Sequence, residues 1–294
     1  MNVTIENLSK DYKGGHRALD GIDLTVGTGM IGLLGANGAG KTTLMRILAG
    51  VLRPTSGRIT IGGHDLATSA GRTAVKRMLG YLPQELPLYT GLTGREFLDY
   101  IALLKGIDDK GARRRQIDLL LDRVGLSDQA NRRIGGYSGG MKRRIGIAQT
   151  LLGDPRLIIV DEPTSGLDPE ERMRFRTLLA SLGGDRTVLL STHILADVAQ
   201  SCPQVAVLNT GRLVYFGSTT GLTDAAEDRT YLVHSDGPAP EGCTVVNATT
   251  TATGTEYRIV GDPPPAGARR VEPTLEDGYV ALLQTHRETQ ETHR

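Results

Sequence analysis

The sequence predicts an α/β fold: a largely parallel sheet, an antiparallel β segment ahead of it, a helical insert within it and a small α+β extension behind it. Three observations carry this expectation. Strand-like and helix-like segments alternate over most of the 294 residues, as layered α/β proteins require. The apolar run MIGLL feeds GANGAGKT, a glycine loop that opens a helix. A second apolar run, LIIV, ends in the acid pair Asp161 and Glu162, and Pro163 closes it.

Taken in order, MNVTIENLSKDY alternates apolar and polar residues around Val3 and Ile5, as a half-buried strand does. IDLTV gives a second strand, MIGLL a third, GRITIGG a short fourth, and KRMLGYLPQE a strand-like run into a proline-marked loop. From Thr93 to about Leu152 the apolar spacing turns helical in REFLDYIALLKG, ARRRQIDLLLDRVGL and MKRRIGIAQTLLG. RLIIVDEP then returns as a buried strand, PEERMRFRTLLASLGG as a helix, TVLLSTH as a strand and ILADVAQS as a helix. QVAVLNTGRLVYFG is a hairpin signalled by Asn209 to Gly211. Beyond Ser218, TYLVHS, CTVVNA and EYRIVG are short strands between Gly/Pro turns, and LEDGYVALLQ is a closing helix. THRETQETHR is charged and without apolar residues, so residues 285–294 are expected to fray. The expected division is a first domain over 1–218, with a helical subdomain at about 85–155, and a small accessory domain over 219–284.

Composition excludes several classes. The formal charge is +1, so no global field draws the chain to nucleic acid or an anionic membrane. Cys202 and Cys243 match no metal-ligand spacing and are expected as free thiols. The N-terminus lacks the basic and apolar regions of a signal peptide. The longest charge-free run, Leu24 to Gly40, is glycine-rich and shorter than the about 20 apolar residues of a spanning helix. A cytoplasmic location follows as the expectation, with any membrane role exercised through a partner.

Chemistry concentrates in a few places. Gly35 to Thr42 satisfy G-x-x-x-x-G-K-[ST] between a strand and a helix, the mark of a P-loop NTPase core. Glycines there let backbone N–H groups converge on phosphate oxygens, and the helix N-terminus adds a favourable partial charge. Asn37, Gly38 and Gly40 belong to that cradle. Lys41 is expected to reach the β- and γ-phosphates, Thr42 to ligate Mg²⁺ and Thr43 to contact the α-phosphate. Asp161 at a strand end suits Mg²⁺ assistance in phosphoryl transfer. Glu162 should then point to the other face, since side chains alternate along a strand, and is the candidate base for an attacking water. Tyr12, Gln84 and His193 are each ordinary loop or strand-end residues when taken singly. Ser138 can cap a helix beginning near Met141, and Gly139 and Gly140 would let its backbone approach an anion.

In this order the pieces resemble the nucleotide-binding subunit of an ATP-binding cassette transporter, over roughly residues 1–218. The resemblance implies that Tyr12 stacks on adenine, that Gly35 to Thr43 hold the phosphates, and that Gln84 contacts Mg²⁺ and senses a membrane subunit. Ser138, Gly139 and Gly140 match the family signature. Asp161 and Glu162 match the Mg²⁺-assisting Asp and the catalytic base, and His193 the histidine that orients the γ-phosphate and water. SGLD, ending at Asp168, is similar to the loop that communicates between two sites. The signature commonly reads LSGGQ, whereas here Tyr137 and Met141 flank Ser-Gly-Gly. The end of the chain is similar to the extension of bacterial drug- and antibiotic-export ATPases, chiefly through LEDGYVALL.

The implied activity is Mg²⁺-dependent hydrolysis of ATP by a head-to-tail pair of subunits, most simply a homodimer. That pair would power export of a drug-like or lipid-like substrate through separate transmembrane permease subunits, from the inner face of the cell membrane. Alternatives are an importer subunit or a non-transport cassette ATPase in translation or DNA repair. The latter usually carry two cassettes, long coiled coils or zinc sites, and none is visible in the sequence. Arg113 to Arg115 and Lys142 to Arg144 could touch RNA, but such runs usually form solvated helix faces, so no nucleic-acid partner is expected.

Overall fold

The computed structural model describes residues 1–164, 168–180 and 184–292. Its described residues fall into two compact units, Met1–His193 with Ala206–Leu213, and Ile194–Val205 with Val214–Arg294.

The first unit opens with an antiparallel sheet, β1 (Val3–Asp11), β2 (Arg17–Val26), β4 (Ser56–Ile61) and β5 (His64–Asp65), ordered β2-β1-β4-β5. Alternation in β1 buries Val3 and Ile5; the register then slips at Asn7, which takes a positive φ, so that Leu8 also faces inward. A second sheet holds β3 (Gly29–Leu34), β6 (Leu79–Leu82), β7 (Leu157–Asp161), β8 (Thr187–Ser191), β9 (Gln204–Asn209) and β10 (Arg212–Ser218) in the order β10-β9-β3-β8-β7-β6. The pairs β3–β8, β7–β8 and β6–β7 are parallel. Every residue of β7 is buried, as a strand covered on both faces must be. α1 (Lys41–Leu48) lies between the two sheets, and its Leu44, Met45, Ile47 and Leu48 join one apolar core with Val3, Ile5, Ile31 and Ile159. Each such fully buried aliphatic side chain contributes about 1.5–3 kcal/mol over its exposed state.

Several short elements are absent from the sequence expectation, and one of them shifts an expected strand. Ser69–Met78 form α2, capped by Thr68, so the strand expected over KRMLGYLPQE is confined to β6. The helical insert holds α3 (Gly94–Leu104), α4 (Lys110–Arg123) and α5 (Gly139–Leu151), with α6 (Pro169–Ala180) following β7. α3 begins at a capping box in which Thr93 and Glu96 satisfy each other's backbone N–H groups.

The second unit holds α7 (Leu195–Ser201), α8 (Thr219–Asp224), a sheet of β11 (Thr230–Ser235), β12 (Thr244–Thr251), β13 (Gly254–Val260) and β14 (Arg269–Arg270), and α9 (Leu275–Thr292). Asp277 of the LEDG turn is fully buried and paired with Arg258 through Nε at 2.9 Å and Nη2 at 2.7 Å. It also accepts from the backbone N–H of Thr274, so one carboxylate fastens the start of α9 to β13. α9 continues through Thr292, past residue 285 where fraying is expected from composition. Both cysteines are free thiols. No helix among the described residues is long and apolar enough to cross a membrane.

Candidate functional site

The C-terminal ends of the parallel strands β3, β7 and β8 lead into the glycine loop, the acid pair and His193, the position where open α/β sheets bind ligands. A cleft of about 420 Å³ lies there, lined by Tyr12, His16, Ala18, residues 36–38 and 40–43, Gln84, Glu162 and His193. The structure therefore brings Tyr12, Asn37, Gly38, Gly40, Lys41, Thr42, Thr43, Gln84, Glu162 and His193 to one place. It does not bring Ser138, Gly139 or Gly140 into that lining.

The loop's shape follows from its glycines. Gly35 and Gly40 have φ of 152° and 103°. A Cβ on Gly35 would stand 2.4 Å from the Leu208 carbonyl oxygen, and one on Gly40 2.5 Å from that of Ala18. No L-side chain fits either position. Lys41 opens α1 and donates from Nζ to the carbonyls of Gly35 at 2.6 Å and Ala36 at 3.2 Å. The same nitrogen stands 3.9 Å from Glu162 Oε1. Burial lowers the Lys41 pKa, while Glu162 and Asp161 act to raise it.

Glu162 departs from the expected strand geometry. β7 ends at Asp161, and Glu162 takes φ 47°, the left-handed region. Its aim across the cleft comes from that turn rather than from strand alternation. A non-glycine residue held there costs on the order of 1–3 kcal/mol, which surrounding bonds must offset. Glu162 donates its N–H to Ser191 O at 2.9 Å, and its Oε2 lies 2.7 Å from His193 Nδ1. Glu162 is 7% exposed, whereas the His193 side chain is 52% exposed and faces the cleft.

Asp161 is fully buried beneath the loop. Thr42 donates its hydroxyl to Oδ1 at 3.4 Å, and among the described residues Oδ2 has no hydrogen-bond partner. Burial holds the Asp161 pKa above its ordinary value, against the hydrogen bonds that lower it. A buried carboxylate with a free oxygen beside a threonine hydroxyl is a hard-oxygen pair that fits Mg²⁺, an ion usually held by one or two carboxylates plus substrate phosphates.

At the far side of the cleft the Tyr12 hydroxyl lies 3.3 Å from Thr43 Oγ1, and its ring stacks on His16 with centroids 6.4 Å apart and planes 14° apart. Lys10 Nζ sits 5.5 Å from the Tyr12 ring centre. Gln84 is exposed at the cleft's edge.

The second anion-like loop is built differently. Ser138 caps α5 by accepting the Met141 N–H at 3.2 Å, as its position predicts. Tyr137 points inward: it is buried, and its hydroxyl donates to Gln129 O at 2.7 Å. The departure from the commoner leucine is thus absorbed in the core of the insert. Asp168 caps α6 through the Glu171 N–H at 2.8 Å; Ser165, Gly166 and Leu167 lie outside the described residues.

Two basic residues correct the expectation of solvated runs. Arg113 is buried, with Nε 2.6 Å from Asp99 Oδ1. Arg143 is buried against the loop after β7, and burial pushes its pKa down to about 10. Sequence reasoning missed Arg143, because KRR reads the same on a buried face as on a wet one.

Comparison with known proteins shows the family. The ABC transporter family matches residues 19–165. The chain is 40% identical over 221 residues to the uncharacterized ABC transporter ATP-binding protein YxlF of Bacillus subtilis, covering 75% of this chain and 72% of that one. It is 40% identical over 222 residues to the daunorubicin resistance ATP-binding protein DrrA3 of Streptomyces coeruleorubidus, covering 75% and 69%. Among solved structures, the ATP-binding cassette MJ0796, a dimer in a post-hydrolysis state bound to ADP and Pi, matches with a TM-score of 0.68 at 25% identity. That likeness covers 74% of this chain and 98% of MJ0796.

Proposed function

The chain belongs to the ABC transporter family as an ATP-binding subunit, and from that premise we propose that it hydrolyses ATP as a head-to-tail homodimer to drive export. One observation carries the proposal. The cleft of about 420 Å³ gathers Lys41, Thr42, Glu162 and His193, while Ser138 to Gly140 stand outside its lining. A chain with one loop of each kind, kept apart, builds two complete sites only by pairing with a second copy about a two-fold axis.

In this reading Tyr12 stacks on the adenine, and residues 35–43 cradle the triphosphate. Lys41 exchanges its two loop carbonyls for phosphate oxygens. Thr42, Asp161 and Gln84 hold Mg²⁺, which when bound neutralises charge on the phosphates. Glu162 accepts the proton of the attacking water, and His193, fixed through Nδ1, orients that water towards the γ-phosphate. Ser138, Gly139 and Gly140 of the partner close over the same nucleotide. Positioning and electrostatics supply most of the rate in such a transfer.

The cassette occupies residues 1–218, with the helical insert at about 85–155 meeting a separate membrane-spanning permease and residues 219–284 forming an accessory domain. The permease holds the subunit on the inner face of the membrane. Export of a drug-like or lipid-like amphiphile is favoured by the relative DrrA3, whose name records daunorubicin resistance. Burial of Arg113 and Arg143 removes one residue from each basic run that a nucleic acid could have used.

The purified chain should hydrolyse ATP with Mg²⁺ present and stop when EDTA removes it. Cells lacking the chain should retain more of a fluorescent cationic amphiphile than cells supplying it. Nucleotide binding without hydrolysis would overturn the enzymatic reading, and equal retention in the two strains the export reading.

A further inference from the structure

Arg143 stands just past the capping residue Ser138, on the face of α5 turned to the interior. Nε donates to Pro163 O at 2.9 Å. Nη2 donates to Glu162 O at 2.9 Å and Asp161 O at 3.4 Å. Nη1 donates to Gln84 O at 3.1 Å and Pro83 O at 3.3 Å. All of these acceptors are backbone carbonyls, and they come from the end of β7 with the loop that follows it and from the loop after β6.

A guanidinium presents its donors in one rigid plane. A single group of this kind fixes the loop after β7 and the loop after β6 relative to each other, which separate point donors would not do. Glu162 is tied at both ends, through its N–H to Ser191 and its C=O to Arg143. Those bonds hold the left-handed φ that aims its carboxylate at Lys41 and His193.

We propose that Arg143 is a positioning residue for hydrolysis: it sets the backbone at Glu162 and Gln84 and links both to the helix capped by Ser138. The role rests on the reading of Glu162 as the base. It also gives the signature helix a direct bond to its own chain's active site. A partner's nucleotide that engages Ser138 would thereby act on Glu162 of the same chain.

The test is Arg143→Lys in the full chain, with Arg143→Gln beside it. Lysine keeps the charge but concentrates its donors at one nitrogen, which cannot reach both loops. We expect kcat to fall at least about tenfold, the scale of effect that misplacing a reacting group produces. KM for ATP should change less than about twofold, because Lys41 and the loop amides are untouched. Hydrogen exchange should speed up in the peptides spanning 79–88 and 157–164 and nowhere else in residues 1–164. Wild-type kcat with unchanged exchange in Arg143→Lys would overturn the proposal. So would unfolding of both variants, since the contribution would then be to stability. A wild-type chain that binds ATP and never turns it over would instead remove the enzymatic reading, before any Arg143 variant is compared.

Discussion

The glycines of the phosphate loop and those of the signature loop are demanded by different things. At Gly35 and Gly40 the chain itself forbids a side chain, because a Cβ would meet backbone oxygens at 2.4 and 2.5 Å. At Gly139 a Cβ would meet nothing within 4 Å, and at Gly140 its nearest neighbours are side-chain atoms of Glu171, the carboxyl carbon at 3.0 Å, rather than backbone. Gly139 is also exposed and carries no positive φ. The first loop is therefore a finished half-site, locked by its own fold. In the second, the fold asks nothing of Gly139, as the proposed closure over a partner's nucleotide expects. That contrast is the physical argument for action in trans.

The comparison breaks most visibly at the finished half. Glu162→Gln removes the proton acceptor and keeps the side chain's size, so turnover should drop by about 10²–10⁴, the usual worth of a general base. ATP binding should persist, and the variant should collect as an ATP-dependent dimer in size-exclusion chromatography. An undiminished rate would remove Glu162 from the role.

Ser138→Arg attacks the unfinished half. The isolated chain should bind a fluorescent ATP analogue as wild type does, while the ATP-dependent dimer disappears and hydrolysis falls about tenfold or more, as loss of a transition-state clamp implies. Loss of affinity in the monomer would show that Ser138 serves its own chain's nucleotide, and the trans assignment would fail.

A pair of alanines sharpens the contrast further. Gly35→Ala combines a glycine-only φ with a backbone clash and should cost on the order of 2–6 kcal/mol of stability. Gly139→Ala, in the first turn of α5, should keep or raise stability by about 0.5–1 kcal/mol and lower only dimer-dependent hydrolysis. Thermal unfolding reads the first difference and ATPase rate the second. Equal destabilisation of the two variants would erase the distinction between the loops.

What the sequence made legible follows the same line. GANGAGKT and LIIVDE are local, and their chemistry can be read from spacing because each motif builds its own geometry from adjacent residues. The alternation of strands and helices likewise gave the parallel sheet, and the turn at Asn209 to Gly211 gave two neighbouring strands. Three features were hidden, each for its own reason. Arg143 sits in a basic run whose buried face is chosen by the loop after β7. The aim of Glu162 depends on a left-handed residue that no propensity favours. The helix over Ser69–Met78 has an apolar face too sparse to announce itself, since only Gly71 and Val75 are buried. In α9 the charged tail reads as frayed, but helix propensity for Arg, Glu and Gln is high enough that composition alone does not decide.

The smallest effect is expected at Met141, where the signature departs from its commoner glutamine. Ser138 Oγ is engaged by the Met141 backbone N–H at 3.2 Å, so the cap does not depend on which side chain follows. Met and Gln have similar helix propensities, and the side chain is only half-buried. Met141→Gln should therefore shift stability by less than about 0.5 kcal/mol. In trans the expected contacts come from the Ser138 hydroxyl and the amides of Gly139 and Gly140, leaving residue 141 to adjust closure. ATPase rate should change by less than about threefold, equivalent to about 0.7 kcal/mol in the barrier. A gain or loss of tenfold would mean that residue 141 itself touches the partner's nucleotide, and the clasp would then extend one residue beyond Gly140.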